Sequence, residues 1–169
     1  MNRWPIRVQR ASVDDAGEIL RLQKTAFMSQ AVLYSNFNLP PLHQSLAALQ
    51  EEFGRKFFLK ALMQKKIAGS VRFEQINGVV AIERLIIDPA CQNQGVGSNL
   101  LAKVEAMTPS AHSYRLFTGS KSQKNIHSYQ KLGCQITRRE ISRQNIELLP
   151  LEKSRSQSGH KGEISNQDE

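Results

Sequence analysis

The chain has 169 residues, 40% of them hydrophobic, and its 23 Lys or Arg against 15 Asp or Glu give a formal net charge of +8. This length predicts a single domain that can bury its own core, and no apolar run approaches the ~20 residues that a membrane-spanning helix needs. The basic residues are spread along the chain without a run of five. Nucleic-acid binding is therefore not the favoured interpretation of the charge, although a basic nucleic-acid-associated protein stays an alternative.

The composition changes near the C-terminus. Residues 154–169 contain one isoleucine and no aromatic residue, so they cannot bury enough apolar surface to offset the entropy of ordering. We predict a folded domain over 1–153 and a disordered tail over 154–169. Cys91 and Cys134 form no C-x-x-C pair, and the N-terminus has no signal-peptide pattern. Free thiols and a cytoplasmic location are the expectation.

In the N-terminal half, apolar periodicity separates helices from strands. It predicts a strand over 6–8, helices over 12–27 and 42–53, and strands over 57–63, 67–74 and 79–87. Ser12 is the expected cap of the first helix, with Asp15 three residues on as a weak capping box. Asn77-Gly78 predicts a tight hairpin between the last two strands.

In the C-terminal half, apolar periodicity again predicts alternating helices and strands. They predict a helix ending at about Met107, a strand over 115–117, a helix over 124–132 and a final hairpin of strands over 136–143 and 146–151. Gly133 is placed as a helix C-cap. The order β-α-α-β-β-β-α-β-α-β-β predicts a mixed α/β domain built around one sheet.

The segment Gln92-Asn93-Gln94-Gly95-Val96-Gly97 connects an apolar strand to an amphipathic helix. A helix start presents unpaired N–H groups, and glycines let an anion approach the backbone, so the segment predicts a phosphate cradle. Leu100 stands where a dinucleotide motif has its third glycine, and the lysine of a P-loop is absent. A plain strand-to-helix turn is the remaining alternative.

This Gln-x-x-Gly-x-Gly pattern after a strand resembles motif A of the GNAT superfamily of N-acetyltransferases. The segment 116–134 resembles motif B, because Tyr129 is followed by Lys131-Leu132-Gly133. Cys134 replaces the usual aromatic residue, and Ser122 stands where many members carry Asn. The resemblance covers roughly residues 6–153 and the element order. It implies a GNAT-like acyl-CoA N-acyltransferase fold with a central mixed, mostly antiparallel sheet flanked by helices.

The resemblance also implies acetyl-CoA as the acyl donor and a set of residues that bind it. The pyrophosphate would be held by the side chain of Gln92 and by the backbone of Asn93, Gln94, Gly95, Val96, Gly97 and Ser98. The backbone of Leu85, Ile86 and Ile87 would hold the pantetheine arm and polarise the thioester carbonyl. Asn125 shares a helix face with Tyr129 and is a further contact candidate. Ser122 is either a ligand contact, a helix cap or both.

Two residues are candidates for proton transfer. The resemblance assigns Tyr129 the proton for the leaving thiolate; a packed tyrosine with a hydrated hydroxyl is the alternative. Deprotonating an alkylamine of pKa near ~10.4 at pH 7 costs roughly 4.6 kcal/mol, so a base is valuable. Glu83 is the best candidate, because strand alternation puts it on one face with Leu85 and Ile87. A strand glutamate paired with Lys or Arg is the alternative, and Glu74 is a weaker candidate.

The acceptor is expected to be a small-molecule or peptide amine. Its site should lie between the first two helices, their loop over 34–41 and the end of the strand that carries Glu83. Tyr34, Phe37 and Pro40-Pro41 would form a wall there, or they would pin the loop to the body. No ligand spacing predicts a metal, and no membrane partner is expected. A non-catalytic acyl-CoA-binding domain and a homodimer stay open as alternatives.

Overall fold

A computed structural model describes residues 3–155 of the chain. The helices are α1 Ala16–Leu33, α2 Pro40–His43, α3 Leu46–Glu52, α4 Val96–Met107 and α5 Gln123–Lys131. The strands are β1 Arg7–Arg10, β2 Phe57–Met63, β3 Lys66–Ile76, β4 Val79–Ile87, β5 Ser113–Gly119, β6 Gln135–Ile136, β7 Glu140–Ile141 and β8 Glu147–Ser154. Within the described residues, no helix combines the length and the apolar character needed to cross a bilayer.

The eight strands form one sheet in the order β1-β2-β3-β4-β5-β8-β6, with β7 also paired to β8. Every pairing is antiparallel except that of β4 with β5. The mixed, mostly antiparallel sheet predicted from the sequence is therefore confirmed.

The two faces of the sheet carry separate apolar cores. On one face α4 and α5 cover the central strands, and Leu100, Val104 and Tyr129 belong to that cluster. On the other face α1 and α3 cover β2, β3 and β4, with Ile19 and Leu49 as buried members. We refer to these as the α4 face and the α1 face.

Strands β4 and β5 pair only briefly and then separate. Their parallel pairing runs from Val79 opposite Ser113 to Ala81 opposite Arg115. Beyond that point β5 stays paired with β8 on its other side as far as Gly119, and β4 stays paired with β3 as far as Ile87. The rest of β4 consequently has no strand partner on its β5 side, and a gap opens between the two strands.

A bulge interrupts β4 near its middle. Ser70 lies opposite Ile86, whereas Arg72 lies opposite Glu83, so β4 carries one residue more than β3 across this stretch. Arg84 sits at the bulge with φ of 48°, a left-handed conformation that non-glycine residues rarely adopt. The extra residue reverses the alternation of side chains between the two faces.

Several predicted boundaries were wrong. Helix α1 continues to Leu33 instead of stopping at Phe27, because Ala31 packs in a third cluster with Leu39 and Ile146, which are distant in sequence. The predicted helix over 42–53 is two helices, α2 and α3. The strand predicted over 136–143 is only the short pieces β6 and β7, each paired to β8.

The C-terminal end of the fold extends past the predicted boundary at Lys153. Strand β8 runs to Ser154, and the Arg155 guanidinium donates hydrogen bonds to the carbonyls of Thr108 and Glu105 at the end of α4, at 2.6 and 3.0 Å. The predicted tail from residue 156 onward lies outside the described residues.

Candidate active site

Helix α4 begins at the glycine segment without a side-chain cap. Gly95 is its N-cap residue, and no side chain bonds to the free N–H groups of the first turn. Asn93 and Gly95 both adopt left-handed conformations, with φ of 60° and 87°, so the segment makes two sharp turns between Gln92 and the helix. The first-turn N–H groups have no intrahelical acceptors. The start of α4 can therefore donate hydrogen bonds to an anion.

The two glycines of this segment are there for different reasons. Gly95 needs its left-handed conformation, which costs other residues about 1–2 kcal/mol. Gly97 is helical, and a Cβ built on it would meet only the Ile87 Cδ1 atom at 3.8 Å, an ordinary contact. The protein's own packing does not require glycine at position 97. Because Gly97 has no side chain, the surface beside the helix start stays free, which fits a bound phosphate group.

The gap between β4 and β5 leads toward this helix start. Leu85 and Ile87 lean toward the α4-face core, whereas Ile86 is buried in the α1-face core. A cavity of about 100 Å³ lies where the strands begin to separate. It is lined by α4, by the first residues of the gap and by the chain after α5, among them Ser98, Leu101, Ile82, Leu116 and Cys134.

Tyr129 lies on α5 on the α4 face of the sheet. Its side chain is 8% exposed, and burial raises its pKa to about 12, with a smaller contribution from the neighbouring Cys134. The phenol is thus protonated at neutral pH and can donate a proton. Burial also raises the pKa of the Cys134 thiol.

The other two candidates on and before α5 have partners within the protein. The Ser122 hydroxyl donates to the Gln30 Oε1 atom of α1 at 2.7 Å and does not cap α5. The Asn125 Nδ2 atom lies 3.4 Å from the hydroxyl of Thr118 on β5. Ser122 thus connects α5 to α1, while Asn125 stays half-buried next to the end of β5.

The predicted face of Glu83 was wrong. The bulge at Arg84 puts Glu83 on the α1 face, opposite Arg72, and not on the face of Leu85 and Ile87. Its carboxylate is 2.5 Å from the Lys56 Nζ atom, and its side chain is 35% exposed. The ion pair that the sequence left as an alternative is therefore present. Glu83 remains accessible from the α1 face beside the gap.

A buried polar network that sequence reasoning missed lies beneath Glu83. Arg72 is 2% exposed; its Nη2 atom donates to the side-chain oxygens of Gln23 and Gln44 at 2.9 and 3.3 Å, and its Nη1 atom lies 3.4 Å from a Glu52 oxygen. Burial lowers the pKa of Arg72 to about 10, although Glu52 opposes the shift. The arginine between the apolar residues Val71 and Phe73 of β3 was the sequence signal for this network.

Arg84 extends this positive region toward the surface. It shares a crevice of the α1 face with Ile19, Arg72 and Ile86, and its guanidinium carbon lies 5.6 Å from the centroid of the Phe27 ring. Burial lowers its pKa, while Glu83 and Glu52 act in the opposite direction. No local pattern in the sequence indicates this residue, because the bulge that directs its side chain depends on the register with β3.

Tyr34 joins helix α1 to the loop after β5. Its hydroxyl accepts a hydrogen bond from the backbone N–H of Lys121. Phe37 is exposed, and Pro41 is buried where its carbonyl accepts a hydrogen bond from Gln23. Among residues 3–155, no group of three or more His, Cys, Asp or Glu side chains is placed to hold a metal ion.

Solved structures with the same fold include several acetyltransferases. PaiA N-acetyltransferase from Thermoplasma acidophilum, in complex with coenzyme A, shares 17% identity with a TM-score of 0.73, covering 89% of this chain and 99% of its own. The ribosomal-protein-S18-alanine N-acetyltransferase of Escherichia coli shares 14% identity with a TM-score of 0.74, covering 93% and 98%. A spermidine N-acetyltransferase SpeG chimera from Vibrio cholerae and hSSAT shares 16% identity with a TM-score of 0.70, covering 88% and 95%.

At these identities the structures show the fold alone. No curated protein matches the sequence significantly. A family model described as an acetyltransferase (GNAT) domain matches residues 27–155, which is most of the chain. The separated β4 and β5, the uncapped start of α4 and this match lead to one conclusion: the chain belongs to the GNAT family of acetyltransferases.

Proposed function

We propose that this protein transfers an acetyl group from acetyl-CoA directly to a primary amine, with both substrates bound at once. The observation that carries the proposal is the continuity between the free edge of β4 and the uncapped start of α4. One ligand with a pyrophosphate and an extended arm would satisfy both sets of free backbone groups. The coenzyme A complex of the Thermoplasma acidophilum structure supports the choice of ligand.

In the proposed complex, the segment from Gln92 to Ser98 binds the pyrophosphate of acetyl-CoA. The N–H groups of the first turn of α4 would donate to the pyrophosphate, and the open surface at Gly97 would let it approach. The backbone of Leu85, Ile86 and Ile87 would bind the pantetheine arm along the gap. An N–H group aimed at the thioester oxygen would stabilise its developing negative charge by about 3–4 kcal/mol.

In the proposed transfer, the amine nitrogen bonds to the acetyl carbon as the carbon–sulfur bond breaks. The Tyr129 phenol would protonate the leaving thiolate, since its pKa of about 12 keeps it protonated at neutral pH. Glu83 would accept the proton of the amine, directly or through water. Its accessible position on the α1 face supports this role, and the amine would have to approach beside the ion pair that Glu83 forms with Lys56.

The acceptor would approach from the α1 face, between α1, the 34–41 loop and the bulged part of β4. The named relatives act on spermidine and on an alanine of ribosomal protein S18, and both acceptors are amines. This supports the proposed class of acceptor.

The first test is calorimetric titration of the purified chain with acetyl-CoA, with NAD as the control ligand. We expect micromolar binding of acetyl-CoA alone, followed by amine-dependent release of free thiol. Tyr129→Phe should leave the dissociation constant unchanged and lower turnover by a factor of about 10²–10⁴. Binding with turnover unaffected by this change would remove the role of Tyr129. Binding without turnover of any amine would indicate a non-catalytic domain, and no binding by a folded sample would overturn the proposal.

A further inference from the structure

We infer that the acceptor carries a carboxylate in addition to its amine, and that Arg84 binds this carboxylate. The inference rests on the proposed function, because it takes the α1 face beside the gap as the acceptor site. It goes further by naming the chemical class of the acceptor and a residue that selects it.

The backbone conformation of the bulge places the Arg84 side chain at the edge of the proposed acceptor site. The bulge turns its side chain to the α1 face, next to Glu83. The Phe27 ring lies 5.6 Å from its guanidinium carbon and supports one side of the guanidinium group. A guanidinium held in this way has limited freedom, and a planar carboxylate is the group that its fork of N–H donors matches.

Arg84 has no anionic partner of its own. Among residues 3–155, no carboxylate oxygen forms an ion pair with it within 4.0 Å, and its buried Nε atom has no hydrogen-bond acceptor. Burying a cation without a partner costs free energy. Such a group in a native protein calls for an explanation, and a ligand that supplies the missing anion provides one.

The charges around Arg84 do not balance. The Glu83 carboxylate is 2.5 Å from Lys56, and the Glu52 carboxylate is 3.5 Å from Lys56 and 3.4 Å from Arg72. These two carboxylates therefore face three cations once Arg84 is included. The surplus positive charge falls on Arg84, which has none of these carboxylates within ion-pair distance.

The deeper Arg72 adds positive charge beneath Arg84. Arg72 is 2% exposed, its Nε atom has no hydrogen-bond partner in the described part of the chain, and its Nη1 atom lies 3.4 Å from a Glu52 oxygen that is also buried without a hydrogen bond. Gln23 and Gln44 hold its other nitrogen in place. Arg72 thus raises the positive potential around Arg84 from below, while Arg84 itself is only half-buried and lies nearer the surface.

A carboxylate compensates this surplus positive charge better than any other common group of a small amine. It accepts two parallel hydrogen bonds from a guanidinium in a planar arrangement. A polyamine would bring further positive charge to an already cationic crevice and would be repelled. We therefore expect amino acids, or peptides that present a carboxylate near the amine, and not spermidine-like acceptors.

The experiment compares matched acceptors by thiol release at saturating acetyl-CoA. The panel contains free amino acids, the same amino acids as carboxamides, short peptide amides with an acidic side chain, and spermidine. Rates are expressed per unprotonated amine, so that differences in amine pKa do not enter the comparison. We expect kcat/KM for a carboxylate acceptor to exceed that of its carboxamide at least tenfold. The free amino acids and the acidic peptide amides separate the two sources of the carboxylate.

Variants then assign the preference to Arg84. Arg84→Gln should abolish the carboxylate preference, and Arg84→Lys should retain part of it, because lysine keeps the charge but not the fork of donors. Arg21→Gln removes the same charge from an exposed position of α1 and should change nothing. All three should bind acetyl-CoA as the unmodified chain does. A carboxylate preference in Arg84→Gln as large as that of the unmodified chain would overturn the inference. The absence of any carboxylate preference in the unmodified chain would overturn it too, and either result would leave the proposed function intact.

A second measurement does not depend on turnover. N-acetyl amino acids and their carboxamides are added with coenzyme A, and the melting temperature is recorded. We expect stabilisation by the carboxylates alone, and loss of that stabilisation in Arg84→Gln. A sample that binds coenzyme A but responds to no carboxylate would contradict the inference. A sample that binds no coenzyme at all would instead contradict the proposed function.

Discussion

The hydroxyl of Tyr34 accepts a hydrogen bond from the backbone N–H of Lys121 at 2.9 Å. The Lys121 Nζ atom also lies 5.5 Å from the centroid of the Tyr34 ring. This pair fixes the end of α1 to the loop between β5 and α5. Of the two roles that the sequence allowed for Tyr34, the structure supports that of an anchor.

This anchor should be sensitive to substitution from both sides. A Cβ on Gly119 would lie 1.9 Å from the Tyr34 hydroxyl and 2.6 Å from Cζ, so Gly119→Ala must displace the ring. Tyr34→Phe should cost about 1 kcal/mol of unfolding free energy, and Gly119→Ala should cost more. In a Tyr34→Ala background the same glycine change should cost clearly less. Urea unfolding of the four chains of this double-mutant cycle measures the coupling, and additive costs would contradict the contact.

The glycine at position 97 should be needed for the ligand and not for the fold. Gly97→Ala meets only Ile87 at 3.8 Å and removes a flexible residue from a helix, so the melting temperature should stay level or rise. The affinity for acetyl-CoA should fall about tenfold or more, equivalent to ~1.4 kcal/mol. Calorimetry and thermal melting provide the two measurements.

Gly69→Ala is the matched control for that variant. A Cβ there would lie 2.7 Å from a Val96 methyl group and 3.0 Å from the Ile86 carbonyl oxygen. The Val96 side chain and the neighbouring part of β4 would have to shift, at a cost of about 1–3 kcal/mol in stability. If Gly97→Ala destabilised the protein as much as Gly69→Ala, the free space assigned to the ligand would be needed by the fold instead.

Tyr129 should titrate later than an ordinary phenol. Its folded pKa of about 12 exceeds the usual ~10 of an unfolded chain. The folded state therefore holds this proton more firmly, and its contribution to stability is full below pH ~10 and is lost as pH rises through about 12. Ultraviolet titration of phenolate formation, compared with Tyr129→Phe, isolates this group. A difference spectrum that titrates at the usual phenol pKa would contradict the burial of the hydroxyl.

Arg155 should contribute to stability although it follows the last strand. Its guanidinium hydrogen bonds to the Thr108 and Glu105 carbonyls place a cation at the C-terminal end of α4, where the helix dipole favours it. Arg155→Ala should cost about 1 kcal/mol. Truncation after Lys153 should lower the melting temperature, whereas truncation after Arg155 should leave it nearly unchanged. Equal melting of both truncated chains would show that Arg155 contributes nothing.

The features that could be predicted from the sequence are those that depend on residues close together along the chain. The three successive strands β2 to β4, the turn at Asn77-Gly78 and the helix that starts at the glycine segment follow from local patterns, and the structure contains them. The end of α1 was not predictable, because Ala31 is held by Leu39 and Ile146, and this contact joins distant segments.

The face of Glu83 shows the same limit within the candidate site. Alternation along β4 is a sound rule until one residue is inserted, and the bulge is defined only by the pairing with Ser70 and Arg72. A single arginine in an unusual backbone conformation thus moves the predicted base to the other face of the sheet. It also brings Arg84 to the surface on which the acceptor class would be selected.

The short pairing of β4 with β5 divides the sheet into two parts. Strands β1 to β4 form one part and β5 to β8 form the other, and the two strands are paired directly only from Val79 to Ala81. Contacts such as those of Tyr34 with Lys121 and of Arg155 with the end of α4 join the two parts outside the sheet. A ligand lying in the gap would join them within the sheet as well, so its binding should slow amide hydrogen exchange in this short pairing as well as at the residues it touches.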